Sequence, residues 1–164
     1  MKSIFIISAI WVLSSCNQSD SNQAVLQNRI DSLQTQLNSC YKPGFGEFMS
    51  GVQVHHNKLW FAGINQNWKL ADFEVGEIQE SIEGIGKYCK DRPETKSLPM
   101  INPALDAIRN AIQQQNNTAF KEDYITLTNT CNSCHQATKH EFNVITVPSA
   151  PPFSNQDFKL HNEK

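Results

Sequence analysis

Residues 118–140 read TAFKEDYITLTNTCNSCHQATKH, and within them Phe120, Tyr124, Leu127, Cys131, Cys134 and Thr138 recur in alternating steps of four and three. That spacing sets all six side chains on one face of a helix. Thr118 to His140 is therefore read as the last helix of the chain, with two cysteines on its core-facing stripe. Three further apolar stripes at helical period precede it, and together they predict an all-α fold, an antiparallel four-helix bundle.

Cys131-Asn132-Ser133-Cys134-His135 brings two thiols and an imidazole into five residues. Cys-x-x-Cys-His is the spacing of covalent c-type haem attachment. On a helical turn the two sulfurs meet the two vinyl positions while the next imidazole reaches the iron from one side. Cys131 and Cys134 are then the thioether donors, His135 the proximal iron ligand, and one covalent haem c the cofactor. Half of a zinc site would need a second ligand pair at matching spacing, and a thioredoxin-like dithiol sits on a βαβ pattern. The sequence offers neither.

At the other end, Lys2 precedes an apolar run from Ile4 to Val12 that closes on Leu13-Ser14-Ser15-Cys16. This resembles a bacterial lipobox, which implies a signal peptide over 1–15, acylation of Cys16, and a protein tethered by lipid outside the cytoplasm, in the periplasm or cell envelope. The apolar stretch is much shorter than the roughly 20 residues of a spanning helix. Attachment of c-type haem also takes place outside the cytoplasm, so the two ends of the chain agree. The formal net charge of the 164 residues is −2 and no basic block stands out, which argues against nucleic acid as a partner. Membrane contact is left to the acyl chains.

Between these ends the chain divides by composition. Residues 16–22 are polar and read as a flexible tether. In 23–40, Gln23, Leu26, Ile30, Leu33, Leu37 and Cys40 form a heptad seam. Two readings stay open for it, a parallel coiled coil joining copies into a homodimer and a stalk folded back on its own domain. Tyr41-Lys42-Pro43-Gly44 breaks that helix, and a haem domain is expected over 44–142. Its first helix runs from Phe45 to about Asn67 with Phe45, Phe48, Met49, Val52, His56, Leu59 and Gly63 on one stripe. The second, about Lys69 to Tyr88, has Phe73, Ile78, Ile82, Ile85 and Cys89 inside and Asp72, Glu74, Glu77 and Glu80 on or near the outside. The third starts with Asn102 as N-cap and Pro103 at the first helical position, followed by Leu105, Ile108 and Ile112. Residues 143–164 contain Pro148, Pro151 and Pro152 and are expected as an extended tail over the domain.

A haem motif on the last helix of such a bundle resembles the cytochrome c-prime superfamily over roughly Phe45 to Phe142. In its methionine-ligated, low-spin branch a Met on the first helix is followed six residues later by a His and four further on by a Leu; Met49, His55 and Leu59 reproduce that spacing. The Arg-Gln pair common before it is replaced here by Phe45 and Gly46. The resemblance implies Met49 as the distal iron ligand. Imidazole chemistry alone favours His56, which lies within about 20° of Met49 around the helix and about 10 Å along it, so one iron cannot use both. An open site is the third alternative.

Trp60 and Trp68 are read as packing residues, Glu74, Glu77 and Glu80 as a solvated face or a dock for a basic redox protein, Cys89 as a buried thiol, and His140 and His161 as surface residues. No catalytic set argues for an enzyme. The expected function is one-electron transfer between redox protein partners by a lipid-anchored monohaem cytochrome. The alternative, implied by the five-coordinate branch of the superfamily, is binding or sensing of a diatomic gas such as nitric oxide.

Overall fold

The computed structural model describes residues 17–40 and 43–161. The signal-peptide reading of 1–15 and the acylation of Cys16 fall outside the described residues. Every regular element among the described residues is helical: α1 (Asn17–Cys40), α2 (Phe45–Ile64), α3 (Trp68–Tyr88), a 3₁₀ segment (Pro93–Ile101), α4 (Asn102–Gln113) and α5 (Asn117–Ala137). None of these helices is long and apolar enough to cross a membrane. The chain divides into two units, one ending at Lys42 and one beginning at Pro43.

In the first unit, α1 begins at Asn17, so 17–22 is helical and not a flexible tether. The stretch holds no Pro or Gly, and once a turn exists each added residue gains a hydrogen bond. Leu26, Ile30, Leu33 and Leu37 are all exposed on α1.

In the second unit, α2 to α5 share one core. Leu59 and Ala62 of α2, Val75 and Ile78 of α3, Leu105 and Ile108 of α4, and Phe120, Tyr124 and Leu127 of α5 are buried together, joined by Phe158 from the tail. A smaller cluster of Ile85, Cys89 and Leu98, flanked by Phe45, Phe48 and Met49, closes one end. Cys89 is a buried free thiol there. Trp60 and Trp68 pack on the core rings, Trp60 at 4.9 Å from Tyr124 and Trp68 edge-on to Phe120 at 6.0 Å.

Three helix ends use one device. Gln66, Gln115 and Lys139 adopt left-handed backbone (φ 56°, 53° and 62°). After each, paired backbone bonds run back to the last turn, as Gln66 N to Gly63 O (2.8 Å) with Asn67 N to Ala62 O (3.0 Å), and Gln115 N to Ile112 O (2.9 Å) with Asn116 N to Ala111 O (3.0 Å). These are Schellman closures built without glycine. The next residue, Asn67 or Asn116, then caps the following helix by accepting from Leu70 N (3.3 Å) or Ala119 N (3.1 Å). The third closure ends α5 at Ala137, before the expected His140.

Three expectations are corrected. Asn102 is not an N-cap: its φ of −55° and ψ of −47° are helical, because the 3₁₀ segment feeds straight into α4 and leaves Ile101 in the capping position. Phe73 is 55% exposed. It stands five residues from Ile78, which rotates it well off the stripe of Ala71, Val75, Ile78 and Ile85. Glu74 is fully buried, not on an outer face, since its position one turn before Ile78 turns it toward α2. There His55 Nδ1 lies 2.7 Å from Oε2 of its carboxylate and Lys58 Nζ 3.9 Å from Oε1, an ion-pair distance that leaves Oε1 without a hydrogen bond.

Gly63 packs so closely on the fully buried Phe120 that a Cβ there would overlap the ring, whereas a Cβ on Gly76 meets nothing. Gly63→Ala is expected to lower unfolding free energy by about 1–3 kcal/mol, as overpacking does. Gly76→Ala should raise it by about 0.5–1 kcal/mol through helix propensity. Urea unfolding of both variants checks the pair.

Candidate functional site

The core stripe of α5 continues past its buried section. Phe120, Tyr124 and Leu127 are sealed in, while Cys131, Cys134 and Thr138, one, two and three turns further on, emerge half-buried into a cavity of about 560 Å³. This volume falls in the range of small-molecule and cofactor sites. Phe45, Met49, Val52 and His56 of α2, Ile82 of α3, and Leu98 and Ile101 of the 3₁₀ segment complete the apolar walls; Arg92, His135, His140, Asn143 and Ile145 also line it. The five residues expected at a haem site, Cys131 and Cys134 as thioether donors and His135, Met49 and His56 as candidate iron ligands, therefore open on a single space.

Both motif cysteines are free thiols. Burial, and then the neighbouring Cys134, pushes Cys131 up to about 11, and burial raises Cys134 as well. A reactive redox dithiol has the opposite character, a thiolate favoured by positive surroundings. Among the described residues no three His, Cys, Asp or Glu side chains converge as a cage for a bare metal ion.

His135 is held by the chain beyond α5. Its Nδ1 lies 2.6 Å from the carbonyl oxygen of Asn143. A carbonyl only accepts, so Nδ1 carries a hydrogen, and in the neutral ring Nε2 then keeps its lone pair. Such a hydrogen bond on one ring nitrogen is the usual means of orienting a metal-binding imidazole through the other. The Schellman closure at Lys139, with His140 N bonded to His135 O at 2.7 Å, turns the chain back so that Asn143 meets the ring.

His56 is differently placed. It is 4% exposed, with Nε2 2.9 Å from Thr128 Oγ1 and Nδ1 2.9 Å from Tyr124 Oη. Tyr124 Oη is also 2.7 Å from His56 O and Thr128 Oγ1 2.9 Å from Tyr124 O; a neutral ring has one N–H, so one hydroxyl accepts from the ring and donates to its carbonyl while the other donates to the ring. Both ring nitrogens are thus engaged by side chains of α5. Burial pushes His56 down to about 4 and raises Tyr124, so the imidazole and phenol are neutral at physiological pH. His55, on the edge of α2, is directed instead to Glu74 and does not line the cavity.

The cavity also takes residues that sequence reasoning did not assign to it. His140, expected on the surface, is half-buried in its wall, Nδ1 2.7 Å from Thr138 O. Its position three residues past the helix end, after a left-handed Lys139, carried no pattern. Arg92, gripped by Glu94 through Nε (3.2 Å) and Nη2 (2.8 Å) and stacked 5.6 Å from the Phe45 ring, brings the one guanidinium of the lining. His161 is exposed beside Asp157, as a surface residue.

The His56 shift fixes a pH dependence. Its folded pKa lies below the ordinary 6.5, so between about 6.5 and 4 the unfolded chain binds more protons than the folded one. The contribution is complete above pH 6.5 and lost on acidification toward 4, about 3 kcal/mol in all. Unfolding midpoints of wild type between pH 7 and 5 should fall more steeply than those of His56→Gln.

No family model, curated protein or solved structure matches the chain.

Proposed function

We propose that this chain is a lipid-anchored, monohaem c-type cytochrome of the cytochrome c-prime type, carrying one electron between redox proteins outside the cytoplasm of a bacterium. The observation that carries the reading is the convergence of Cys131, Cys134, His135 and Met49 on one largely apolar cavity, with His135 Nδ1 already bonded and Nε2 unengaged. In this reading α2 to α5 form an antiparallel four-helix bundle, residues 143–164 are an extended tail over it, and Cys16 bears the lipid.

The residues fit the group. Two neutral, unpaired thiols three residues apart would hold haem by thioether links, and His135 Nε2 would be the proximal ligand. Bound haem supplies a one-electron iron couple. For the distal side, three other donors line the cavity: Met49, His56 and His140. His56 has both nitrogens occupied, and freeing one would break a buried hydrogen bond. His140 belongs to the same helix end as His135. Met49 comes from a separate helix and its thioether has no competing partner to lose, so it is the distal ligand in this proposal. The apolar walls from Phe45, Val52, Ile82, Leu98 and Ile101 limit water around the ligands, a setting that tunes potential.

Haem staining of denaturing gels tests the cofactor, and optical spectra test the ligands. Wild type should stain and Cys131→Ala with Cys134→Ala should not. Met49→Ala should convert a low-spin spectrum to a high-spin one that takes up carbon monoxide, while His56→Ala keeps the ligation. An unstained wild type refutes the reading. A stained, high-spin wild type that binds carbon monoxide fully would replace electron transfer by gas binding.

We infer in addition that α1 pairs with α1 of a second copy. Ile30 and Leu37 occupy a positions and Leu26 and Leu33 d positions of one heptad frame, a pattern suited to parallel two-stranded coils, and all four are exposed. The flanking Asn22, Gln27, Gln34 and Gln36 are uncharged, so only Arg29 opposes self-pairing. A narrow seam on a helix with one basic residue is a poor membrane-surface helix. The full chain should sediment as a dimer, and Ile30→Lys with Leu33→Glu as a monomer; a monomeric wild type, with its stalk covered by its own domain, overturns the pairing.

A further inference from the structure

We propose that Asn132, an unspecified position of the Cys-x-x-Cys-His motif, is a positioning residue that sets the imidazole of His135 through the tail. Its carboxamide makes both hydrogen bonds that one backbone residue can offer: Nδ2 donates to Ile145 O at 2.8 Å, and Ile145 N donates to Oδ1 at 2.8 Å. The amide thereby grips Ile145 as a paired strand would. Two residues earlier on the same strand of chain, the Asn143 carbonyl accepts from His135 Nδ1. The side chain three residues before His135 on α5 thus holds the acceptor that orients it.

Little else holds this part of the tail. Residues 143–150 contain no regular element, and Asn143, Val144, Thr146 and Val147 are exposed. Asn143 N bonds back to His140 O (2.9 Å), which closes the turn but leaves its far side free. The next bond along the chain is Asn57 Nδ2 to Ala150 O at 3.4 Å, at the long limit of a hydrogen bond. Phe158, the first fully seated residue, is thirteen positions further on than Ile145. Without the carboxamide, residues 144–149 lose their one anchoring pair of bonds, and the Asn143 carbonyl is held from the backbone side only by the turn bond from Asn143 N to His140 O.

The consequence reaches the ring. With Nδ1 committed to Asn143 O, the hydrogen stays on Nδ1 and the Nε2 lone pair is fixed in direction. Released, the ring turns about χ1 and χ2 and the hydrogen distributes between its nitrogens. The purpose of this arrangement rests on the haem reading, but the arrangement itself is a property of the chain without haem. Asn132→Ala should not unfold α5, since alanine is the better helix former.

Nitrogen-15 NMR of the His135 ring in the full chain without haem, together with amide exchange at Ile145, tests the proposal. In wild type the neutral ring should carry its hydrogen on Nδ1. In Asn132→Ala that preference should disappear and Ile145 exchange should speed at least tenfold. Asn132→Asp, which still accepts from Ile145 N but faces its carbonyl with an anion, should fall between. Ser133→Ala, which loses only the bond from Ser133 Oγ to Asn129 O, should match wild type. An Nδ1 hydrogen and protected Ile145 amide retained in Asn132→Ala overturn the proposal, as does an equal effect from Ser133→Ala. If wild type bears no covalent haem yet the tautomer follows Asn132, the positioning stands and the haem reading falls; haem with an unresponsive tautomer is the reverse.

Discussion

The hydrogen-bonded triad of His56, Tyr124 and Thr128 is the constraint on which the site depends. It is the polar boundary between the sealed core and the cavity, and each of its members is buried. Buried polar groups left unpaired are costly, so α2 can slide or rotate against α5 only by breaking bonds at both ring nitrogens. That fixes the register of the two helices. Met49 stands two turns before His56 on the same face of α2, and Cys131 one turn after Thr128 on α5; locking the triad therefore brings both to the cavity. Glu74 does for α2 and α3 what the triad does for α2 and α5, through its short contact with His55.

Much of this is legible in the sequence because it rests on periodicity. The steps of four and three from Phe120 to Thr138 give the helix and the face on which the cysteines lie. The Pro43-Gly44 break, the first-helix stripe and the irregular tail follow from the same elementary rules. Where reading from sequence fails, a tertiary effect has overridden a local one. Glu74 is acidic and so is read as exposed, but His55 and Lys58 across the α2–α3 seam accommodate it. Phe73 is apolar and so is read as buried, but its angle excludes it. Gln66, Gln115 and Lys139 end helices in left-handed conformations that are normally the province of glycine, and nothing in those side chains signals it. Asn102, a good cap by type, is robbed of the role by a 3₁₀ run containing Pro93 and Pro99 that keeps the backbone helical up to it.

The site itself is legible to a different depth in each part. The motif names Cys131, Cys134 and His135 by spacing. What spacing cannot supply is the environment: that the thiols are neutral because they are buried, and that the second ring nitrogen of His135 meets a carbonyl eight residues further on. His56 illustrates the limit. On the helical wheel it competes with Met49 as an iron ligand, since both share the stripe. What commits its ring is Thr128 and Tyr124, which are 72 and 68 residues away in sequence and invisible to any pattern on α2.

The chemistry of the cavity follows from this division of labour. Imidazoles at its boundary are committed by hydrogen bonds, His56 at both nitrogens and His135 and His140 at Nδ1. The thiols are uncharged, the walls are hydrocarbon, and the guanidinium of Arg92 is paired with Glu94. What remains is the Nε2 of His135 and of His140, the thioether of Met49, the sulfur of Cys131, and the sulfur of Cys134, which makes one long contact to Ser97 O at 3.9 Å. Soft sulfur and imidazole nitrogen in a space that limits water form a donor set suited to iron held in a macrocycle, and poorly suited to a hard, hydrated cation. Were Met49 and His135 to hold such an iron, a thioether and an imidazole together would favour its reduced state, so the packing around them would bias the electron affinity of the couple.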